Sequence, residues 1–277
     1  MTVDLHIHTT CSDGIRTPEQ TVAEALQKGL KVISITDHDI TTGVKRAEEA
    51  AKGSAIEIIP GVEINSFWGK QEIHILGYYI DIDCVHLQQQ LEIIRLAREN
   101  RARQMVEKLQ TLQYQITFEE VKQFAGTGAI GRPHIARLLV RKSYFRKTDE
   151  VFQHLLSPGG KAYVEQQRIS PIEAIAVVKQ AGGIPVIAHP GIYHQEIDWE
   201  QLIQHGLAGV EVYHTKHTKK DIEIYEAIAR QYNLLVTGGS DCHGVATSAI
   251  IGTLNIPIAI ADRLKEFHSK IFQKKLL

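Results

Sequence analysis

The sequence predicts an α/β fold in which buried strands alternate with helices. Short apolar runs rich in β-branched residues precede several polar clusters, and residues 30–36 and 183–188 are two of these runs. Runs of this kind are typical of buried parallel strands. The chain has 277 residues, of which 43% are hydrophobic, so it can form one large domain, alone or with a small insert.

The first 84 residues alternate between predicted strands and predicted helices. The first helix is expected at residues 18–26, because Pro18 suits the first position of a helix and Thr17 can cap it. The other elements predicted in this segment are a helix at residues 43–52 and strands at residues 56–63 and 73–80.

The alternation stops near Val85, and helical periodicity replaces it. Apolar residues recur at helical intervals at Leu87, Leu91, Ile94, Met105, Leu109 and Leu112. Shorter segments of similar character follow at residues 118–124 and 133–141. We therefore predict a helical insert over residues 85–160, which divides the alternating strands and helices into residues 1–84 and 161–277.

Strands and helices alternate again after Gly159 and Gly160. A helix is predicted at residues 171–180. The predicted strands of this half lie at residues 184–188, 209–213, 234–237 and 249–256, and a charged amphipathic helix follows them.

Nine side chains of the types that bind metal ions occur along the chain in short clusters. Most clusters follow a predicted strand. If these strands form a barrel, their carboxyl ends meet at one mouth, where barrel enzymes place their chemistry. Two clusters carry such residues two positions apart, which places both side chains on one face of an extended segment. The sequence therefore predicts one multinuclear metal site, formed by His6, His8, Asp13, His38, Glu63, His74, His189, Asp241 and His243.

The predicted ligands are imidazoles and carboxylates without a cysteine framework. This mixture suits zinc, manganese or iron better than calcium, and it does not choose among the three. Cys242 lies between two predicted ligands, but alternation along an extended segment turns its side chain away from them. His214 and His217 follow a predicted strand, so they lie either at the mouth or in an ordinary loop.

Composition argues against several other classes of protein. No apolar stretch approaches the roughly 20 residues needed to cross a bilayer, so no membrane association is expected. Three cysteines at unrelated spacings form no disulfide framework, which favours a reducing compartment and a cytoplasmic location. The formal net charge is −1, so we expect no stable DNA partner.

Five short motifs occur in order along nearly the whole chain, at residues 6–14, 35–39, 60–63, 188–190 and 240–243. Together they resemble the successive motifs of the PHP (polymerase and histidinol phosphatase) superfamily. The length, the predicted insert and residues 131–134 are most similar to the stand-alone branch that includes nucleoside 3′,5′-bisphosphate phosphatases and a 5′-3′ exoribonuclease.

The resemblance implies a distorted (β/α)7 barrel of the TIM type with three divalent metal ions in its mouth, Mn²⁺ ahead of Zn²⁺ or Fe²⁺. The ligand sets it implies are His6, His8, Glu63 and Asp241 for one ion, Asp13, His38 and His243 for a second, and Glu63, His74 and His189 for a third. It also implies catalytic roles for Asp37, Glu63 and His189, with Asp37 either an additional ligand or a partner of the ligands.

The expected reaction is hydrolysis of a phosphate ester. Clustered cations can lower the pKa of a bridging water and bind the non-bridging oxygens of the phosphate, so a metal-activated hydroxide would attack phosphorus in line. Arginines and a helix N-terminus in the insert suit a further phosphate. The resemblance makes the substrate-binding candidates Asn100, Arg101, Arg103, Arg132 and His134. The alternative for the arginines is a solvated helix face with ion pairs to neighbouring glutamates.

Three functions stay open at this point. The first is a phosphatase for nucleoside 3′,5′-bisphosphates or nucleoside monophosphates, and the second is a 5′-3′ exoribonuclease, so the expected partner is a small nucleotide or the 5′ end of a short RNA. The third is a non-catalytic PHP module, against which the complete set of ligand positions argues. Histidinol phosphatase is a further enzymatic alternative, but the arginines of the insert fit a nucleotide better.

Overall fold

The computed structural model describes residues 2–69, 71–126, 128–165, 169–244 and 250–275. Within these residues, eight strands form one sheet in the order β7-β6-β5-β4-β3-β2-β1-β8. The strands are β1 (Thr2–Ile7), β2 (Val32–Ile35), β3 (Glu57–Trp68), β4 (Gln71–Tyr78), β5 (Ile184–Ile187), β6 (Gly209–His214), β7 (Leu235–Gly239) and β8 (Ile256–Pro257).

Ten α-helices accompany the sheet in the described part of the chain. They are α1 (Pro18–Gln27), α2 (Thr42–Ala51), α3 (Val85–Thr111), α4 (Phe118–Ala125), α5 (Arg132–Arg141), α6 (Thr148–Val151), α7 (Pro171–Gln180), α8 (Trp199–Gln204), α9 (Lys219–Tyr232) and α10 (Ala259–Lys275). A π-helical turn, Phe152–Leu156, continues α6, and a 3-10 turn, Pro190–Ile192, follows β5.

The sheet curls into a nearly closed barrel. The backbone amide of His8 donates to the carbonyl of Cys242 at 3.0 Å, and the amide of Asp241 donates to the carbonyl of His6 at 2.9 Å. These bonds join the segment after β7 to β1, while the short β8 pairs with the amino-terminal part of β1. The predicted α/β barrel is therefore confirmed.

The direction of β4 departs from the parallel arrangement expected for buried runs. β1, β2 and β3 are parallel, as are β5, β6 and β7, but β4 is antiparallel to both of its neighbours. Only two residues separate β3 from β4. A parallel pair needs a crossover of a dozen or more residues, so this connection allows only a hairpin.

Local chemistry accounts for the starts of the helices that flank the barrel. Thr17 accepts a hydrogen bond from the backbone of Gln20, whose side chain bonds back to the Thr17 backbone, and Pro18 occupies the first turn. Ser170 and Glu173 form the same reciprocal cap on α7. Because such caps satisfy donors that helix ends leave open, these two starts follow directly from the sequence.

The helical segment between β4 and α7 has an apolar cluster of its own. Its buried residues come from the second half of α3, from α4, α5 and α6, and from the turn after them, and include Met105, Leu109, Val121, Ile135, Leu139, Leu155 and Leu156. The first half of α3 instead packs on the barrel, where Leu87, Leu91 and Ile94 join a cluster with Val178. The division of the chain at residues 85 and 160 stays a prediction.

The strand predicted at residues 249–256 is wrong for the residues that the structure describes. Residues 245–249 lie outside the described part of the chain, residues 250–255 form turns and bends, and only Ile256–Pro257 pair with β1. Two apolar residues of this segment, Ile251 and Ile256, are nevertheless buried, whereas Ile250 is exposed. Among the helices described, none combines the length and apolarity needed to span a membrane.

Candidate metal centre

All nine predicted ligands lie at one mouth of the barrel. His6 and His8 lie at the end of β1, and His38 follows β2. The remaining positions are Asp13 between β1 and α1, Glu63 in β3, His74 near the start of β4, His189 after β5, and Asp241 and His243 after β7. Because β4 runs against its neighbours, its beginning reaches the edge where the parallel strands end. This places His74 beside the other ligands.

Glu63 occupies the centre of the cluster. Its Oε2 lies 3.2 Å from His6 Nε2, 3.1 Å from His8 Nε2 and 3.1 Å from His38 Nδ1. Its Oε1 lies 2.7 Å from His74 Nδ1 and 3.0 Å from His189 Nε2. One carboxylate therefore faces five imidazoles from four different segments.

Asp13, His243 and Asp241 extend the cluster to one side. Asp13 Oδ1 is 3.2 Å from His243 Nε2 and 3.8 Å from His8 Nδ1, and Asp13 Oδ2 is 3.9 Å from His38 Nε2. Asp241 Oδ1 is 3.2 Å from His8 Nε2. The ligand positions at the two ends of the chain thus meet around His8.

The chemistry of these residues fits bound divalent cations. Three groups of ligand atoms each converge to within 4.8 Å, and they are His6, His8, Glu63 and Asp241; His8, Asp13, His38 and His243; and His38, Glu63 and His74. Among the described residues, several buried atoms of the cluster have no hydrogen-bond partner, including Glu63 Oε2 and His38 Nδ1. Buried polar atoms seldom stay unpaired in this way, and a cation would satisfy them.

The three groups agree closely with the ligand sets that the family resemblance implies. The first set is the same. The second gains His8, whose two ring nitrogens face different groups. The third contains His38 in place of His189, although His189 also contacts Glu63.

The electrostatics of the cluster suit charged carboxylates. Burial opposes ionisation of Glu63, but the surrounding imidazoles hold the pKa of this carboxyl well below its usual range. Burial lowers the pKa of His189 to about 4, so this imidazole is neutral at pH 7 and offers a lone pair. Burial also opposes protonation of His74, but Glu63 and Glu72 raise its pKa to about 10. A metal ion at His74 would have to displace a proton.

Asp37 follows β2 and holds the loop after β1. Its oxygens accept hydrogen bonds from the Thr9 amide at 2.7 Å, the Thr9 hydroxyl at 2.7 Å and the Ser12 hydroxyl at 2.6 Å. Asp37 belongs to none of the three converging groups found among the described residues. Of its two alternatives, the contacts favour a partner of the ligands over an additional ligand.

A cavity of about 110 Å³ lies between the metal cluster and the helical insert. The barrel side of its wall includes Asp13, His38 and His74, and the insert side includes Arg98, Arg101 and Arg132. Three guanidinium groups therefore face three predicted ligands across a space large enough for a small anionic group.

Two arginines of this wall are held by carboxylates of the barrel. Arg132 Nη2 donates to Glu72 Oε2 at 2.6 Å. Arg98 pairs with Asp39 and donates to Asn65 Oδ1 at 3.3 Å. These bonds fix the insert against β3, β4 and the loop after β2.

Arg101 is held by the segment that follows the predicted insert. Its Nε donates to the Val164 carbonyl at 2.8 Å, and its guanidinium lies 5.3 Å from the centre of the Tyr163 ring. Burial and the nearby Arg132 lower the pKa of Arg101 to about 10, which still leaves this side chain positively charged at neutral pH. The predicted positions Arg101 and Arg132 therefore do lie at the cavity.

Three other substrate-binding candidates do not line the cavity. Asn100 is exposed on α3. Arg103 is half exposed, and its guanidinium lies 4.1 Å from the centre of the Phe118 ring. His134 is buried, and its Nδ1 accepts a hydrogen bond from the Gly131 amide at 3.1 Å, which caps α5. Substrate contact by these three residues stays a prediction, and their positions outside the cavity do not support it, because neighbouring positions on a helix point in different directions.

Three residues of the site were not among the predicted site residues. Arg98 belongs to the arginine run, and its spacing of three from Arg101 could have placed both on one helix face. Glu211 is a charged residue inside the apolar strand β6, which is itself a signal, and it lies 3.0 Å from His6. His214 lies at the mouth, the first of its two alternatives, with Nε2 3.4 Å from Asp241.

Comparison with known proteins bears directly on this arrangement. The family model described as the PHP domain matches residues 4–168. The chain is 37% identical over 251 residues to the 5′-3′ exoribonuclease Rnm of Escherichia coli (strain K12), covering 87% of this chain and 84% of that protein. It is 34% identical over 247 residues to a 3′,5′-nucleoside bisphosphate phosphatase of Chromobacterium violaceum, covering 87% of each.

A solved structure extends the likeness to the whole fold. A protein from Bifidobacterium adolescentis, whose crystal structure is described as that of a metal-dependent phosphoesterase, superposes with a TM-score of 0.88 at 33% identity. The superposition covers 95% of this chain and 94% of the other.

Proposed function

We propose a function for this chain on the premise that it belongs to the PHP domain family, whose model covers residues 4–168 of 277. The proposed activity is metal-dependent hydrolysis of phosphate esters of nucleotides. One observation supports it above others, namely the cavity in which Arg98, Arg101 and Arg132 face the predicted metal ligands.

The predicted ligands would hold three divalent ions, and we propose Mn²⁺ ahead of Zn²⁺ or Fe²⁺. When bound, such ions lower the pKa of a coordinated water and neutralise charge on a phosphate. The residues of the chain hold the ligands in position. Glu63 keeps five imidazoles in fixed directions, and the neutral ring of His189 offers an uncharged donor atom. Asp37 keeps the loop that carries Asp13 in place.

The preferred substrate class is a nucleotide with two phosphates. A phosphate next to Asp13, His38 and His74 would occupy the barrel side of the cavity. A second phosphate could then reach the guanidinium groups, which bind phosphate oxygens through paired, charge-assisted hydrogen bonds. The similarity to the nucleoside bisphosphate phosphatase of Chromobacterium violaceum supports this substrate class.

A 5′-3′ exoribonuclease on short RNA is the second candidate. It is favoured by 37% identity to Rnm over 84% of the length of that exoribonuclease. The same ions and arginines could bind a phosphodiester at the 5′ end of RNA. The substrates of the two activities would then differ only in the part that extends beyond the cavity, which is an RNA strand for the exoribonuclease. A cytoplasmic location is part of this proposal, since all three cysteines are free and two of them are buried.

A phosphate-release assay with Mn²⁺ tests the proposed function. The substrates are adenosine 3′,5′-bisphosphate, AMP, histidinol phosphate and a short 5′-phosphorylated RNA whose shortening is followed on a gel. The variants Asp241→Ala and Glu63→Ala should lose bound metal and nearly all turnover. His86→Ala is the matched control, because His86 is exposed on α3 away from the cluster.

Each outcome of this assay decides between functions. Fast release from the bisphosphate supports the phosphatase, and stepwise shortening of the RNA supports the exoribonuclease. Hydrolysis of histidinol phosphate alone would reject a nucleotide substrate. No turnover and no bound metal in the wild-type chain would favour a non-catalytic module, and wild-type turnover by either ligand variant would refute the site.

A further inference from the structure

Strand β6 brings two buried polar side chains to the barrel mouth but none of the nine predicted ligands. The side chains of Glu211 and His214 are both shielded from solvent. The pairing of β6 with β7 shifts register between Glu211 and Tyr213. A bulge of this kind redirects the side chains that follow it. The Tyr213 hydroxyl donates to Glu226 of α9 outside the barrel, so His214 joins Glu211 on the inner face.

The imidazole of His6 lies between Glu211 and the inner carboxylates. Its Nδ1 is 3.0 Å from Glu211 Oε1 and 3.2 Å from Oε2. Its Nε2 is 3.2 Å from Glu63 Oε2 and 3.5 Å from Asp241 Oδ1. An ionised carboxylate can only accept hydrogen bonds, so Glu211 favours a proton on His6 Nδ1. With that proton in place, Nε2 can direct its lone pair at a cation on the inner carboxylates.

Glu211 also holds a second predicted ligand through its backbone. The amide of His189 donates to Glu211 Oε2 at 2.8 Å. His189 has a positive φ of 28°, a conformation that side-chain-bearing residues seldom adopt. The bond to Glu211 helps to keep this backbone, and therefore the ring of His189, in place.

His214 acts on Asp241 from the other end of the same strand face. The Lys216 amide donates to His214 Nδ1 at 3.2 Å, so Nδ1 is without a proton and the neutral ring carries it on Nε2. His214 Nε2 lies 3.4 Å from Asp241 Oδ2 and can donate to it. The other oxygen, Asp241 Oδ1, is left to face His8 at 3.2 Å.

We infer that β6 is the positioning strand of the metal centre. Glu211 orients His6 and His189, and His214 orients Asp241, while neither residue touches substrate. The inference rests on the proposed function, since it takes His6, His189 and Asp241 as ligands of divalent ions. Loss of such an outer hydrogen bond commonly lowers metal affinity about 10- to 100-fold.

The first test replaces Glu211 by its amide. Glutamine has one acceptor oxygen, whereas Glu211 accepts from both His6 and His189, so Glu211→Gln must set an amide N–H against one of them. The dissociation constant for Mn²⁺ is measured by calorimetric titration of the metal-free 277-residue chain, with circular dichroism as a check of folding. It should rise about 10- to 100-fold. Glu223→Gln, on the exposed face of α9, should leave it unchanged.

The second test uses two variants of His214. His214→Phe keeps a planar ring but removes the donor to Asp241, and it should weaken Mn²⁺ binding about tenfold. His214→Gln can place an amide N–H where Nε2 lies, and it should restore most of the affinity. If the phenylalanine and glutamine variants bind Mn²⁺ equally well, His214 does not position Asp241.

Turnover separates this inference from the proposed function. If the wild-type chain binds Mn²⁺ tightly but hydrolyses no phosphate ester, the proposed function fails and the Mn²⁺ affinities of the variants still decide the role of β6. If the wild-type chain is active and a folded Glu211→Gln chain binds Mn²⁺ with wild-type affinity, the inference is overturned. Excess Mn²⁺ should restore much of kcat in Glu211→Gln, which a damaged substrate site would not allow.

Discussion

Arg101 and Arg103 lie two positions apart on α3 and end in different surroundings. Arg101 lines the cavity, whereas Arg103 is half exposed over Phe118. Two residues span about 200° around an α-helix, so both side chains cannot face the same space. Arg98 and Arg101, three residues apart, do share a face. The composition of the arginine run predicted a phosphate site, but only the packing of α3 determines which members form it.

Arg132 and Arg103 therefore make a matched pair for mutation. Arg132→Ala removes a guanidinium from the cavity wall and should raise KM for adenosine 3′,5′-bisphosphate roughly 10- to 100-fold, the equivalent of a charged hydrogen bond. Steady-state kinetics with Mn²⁺ measure this change. Metal content should stay at the wild-type value, because Arg132 contacts Glu72 and none of the nine ligands among its described polar contacts.

Arg103→Ala is the control for this measurement. Arg103→Ala also removes one positive charge, in this case from α3. The Arg103 side chain lies over Phe118 outside the cavity, so KM should change less than about twofold. Equal effects of the two substitutions would indicate general electrostatic attraction instead of a local phosphate site.

At the scale of elements, helix starts were predictable and strand pairing was only partly so. The caps at Thr17 and Ser170 depend on neighbours three residues away, and α1 and α7 begin where the sequence predicts. The antiparallel β4 depends on its partners in the sheet. Even so, the nine residues between the predicted strands at 56–63 and 73–80 are too few for a parallel crossover, which is a signal that could have been used.

Helix α5 begins with a titratable cap, which gives the protein a pH dependence. Burial, with help from Arg137 and Arg98, lowers the pKa of His134 to about 4 from its usual 6.5. The unfolded chain therefore binds more protons than the folded chain between these values. The contribution of His134 to the free energy of unfolding is complete above about pH 6.5 and is lost as the pH falls toward 4. Between pH 7 and pH 5 this loss is roughly 2 kcal/mol.

His134→Gln tests this contribution. Glutamine at this position can accept from the Gly131 amide as in an ordinary capping box, and it does not titrate. Urea unfolding of both chains in Mn²⁺ at pH 7 and pH 5 should show a smaller loss of stability in the variant. Metal ligands titrate in both chains, so their effect cancels in the difference. Equal losses of stability in the two chains would contradict the assignment of this pH dependence to His134.

At the scale of the whole molecule, the site was predictable as a set of residues but less so as a geometry. His6, Glu63 and Asp241 each lie in one of the five short motifs that the sequence shows. Glu211 belongs to no motif, and its contact with His6 joins positions 205 residues apart in the sequence. The bulge that follows Glu211 in β6 and turns His214 inward is likewise visible only in the paired strands. The cavity likewise depends on how the insert closes on Asp39 and Glu72.

The clustered imidazoles and carboxylates also predict that metal binding stabilises the fold. At a free Mn²⁺ concentration about 100 times its dissociation constant, binding should add about 2.7 kcal/mol, which corresponds to roughly 5–10 °C in Tm. Differential scanning calorimetry with Mn²⁺ and with excess EDTA measures the difference. Asp241→Ala should show a much smaller one, and a wild-type Tm unaffected by EDTA would argue against a metal centre.

The antiparallel pairing of β4 with β5 separates the predicted metal ligands from the arginines of the cavity along the sequence. Tyr78 pairs with Ile184, so the polypeptide leaves the barrel and re-enters it at adjacent points. Every predicted ligand lies outside the sequence between these points, whereas Arg98, Arg101 and Arg132 lie inside it. The part of this detour that forms its own apolar cluster can therefore vary in length without removing a predicted ligand, whereas Leu87, Leu91, Ile94 and Val178 pack on the barrel. Chimaeras that exchange only this separately packed part between relatives should transfer the preference for substrate and keep the hydrolysis of phosphate esters, as steady-state kinetics would measure.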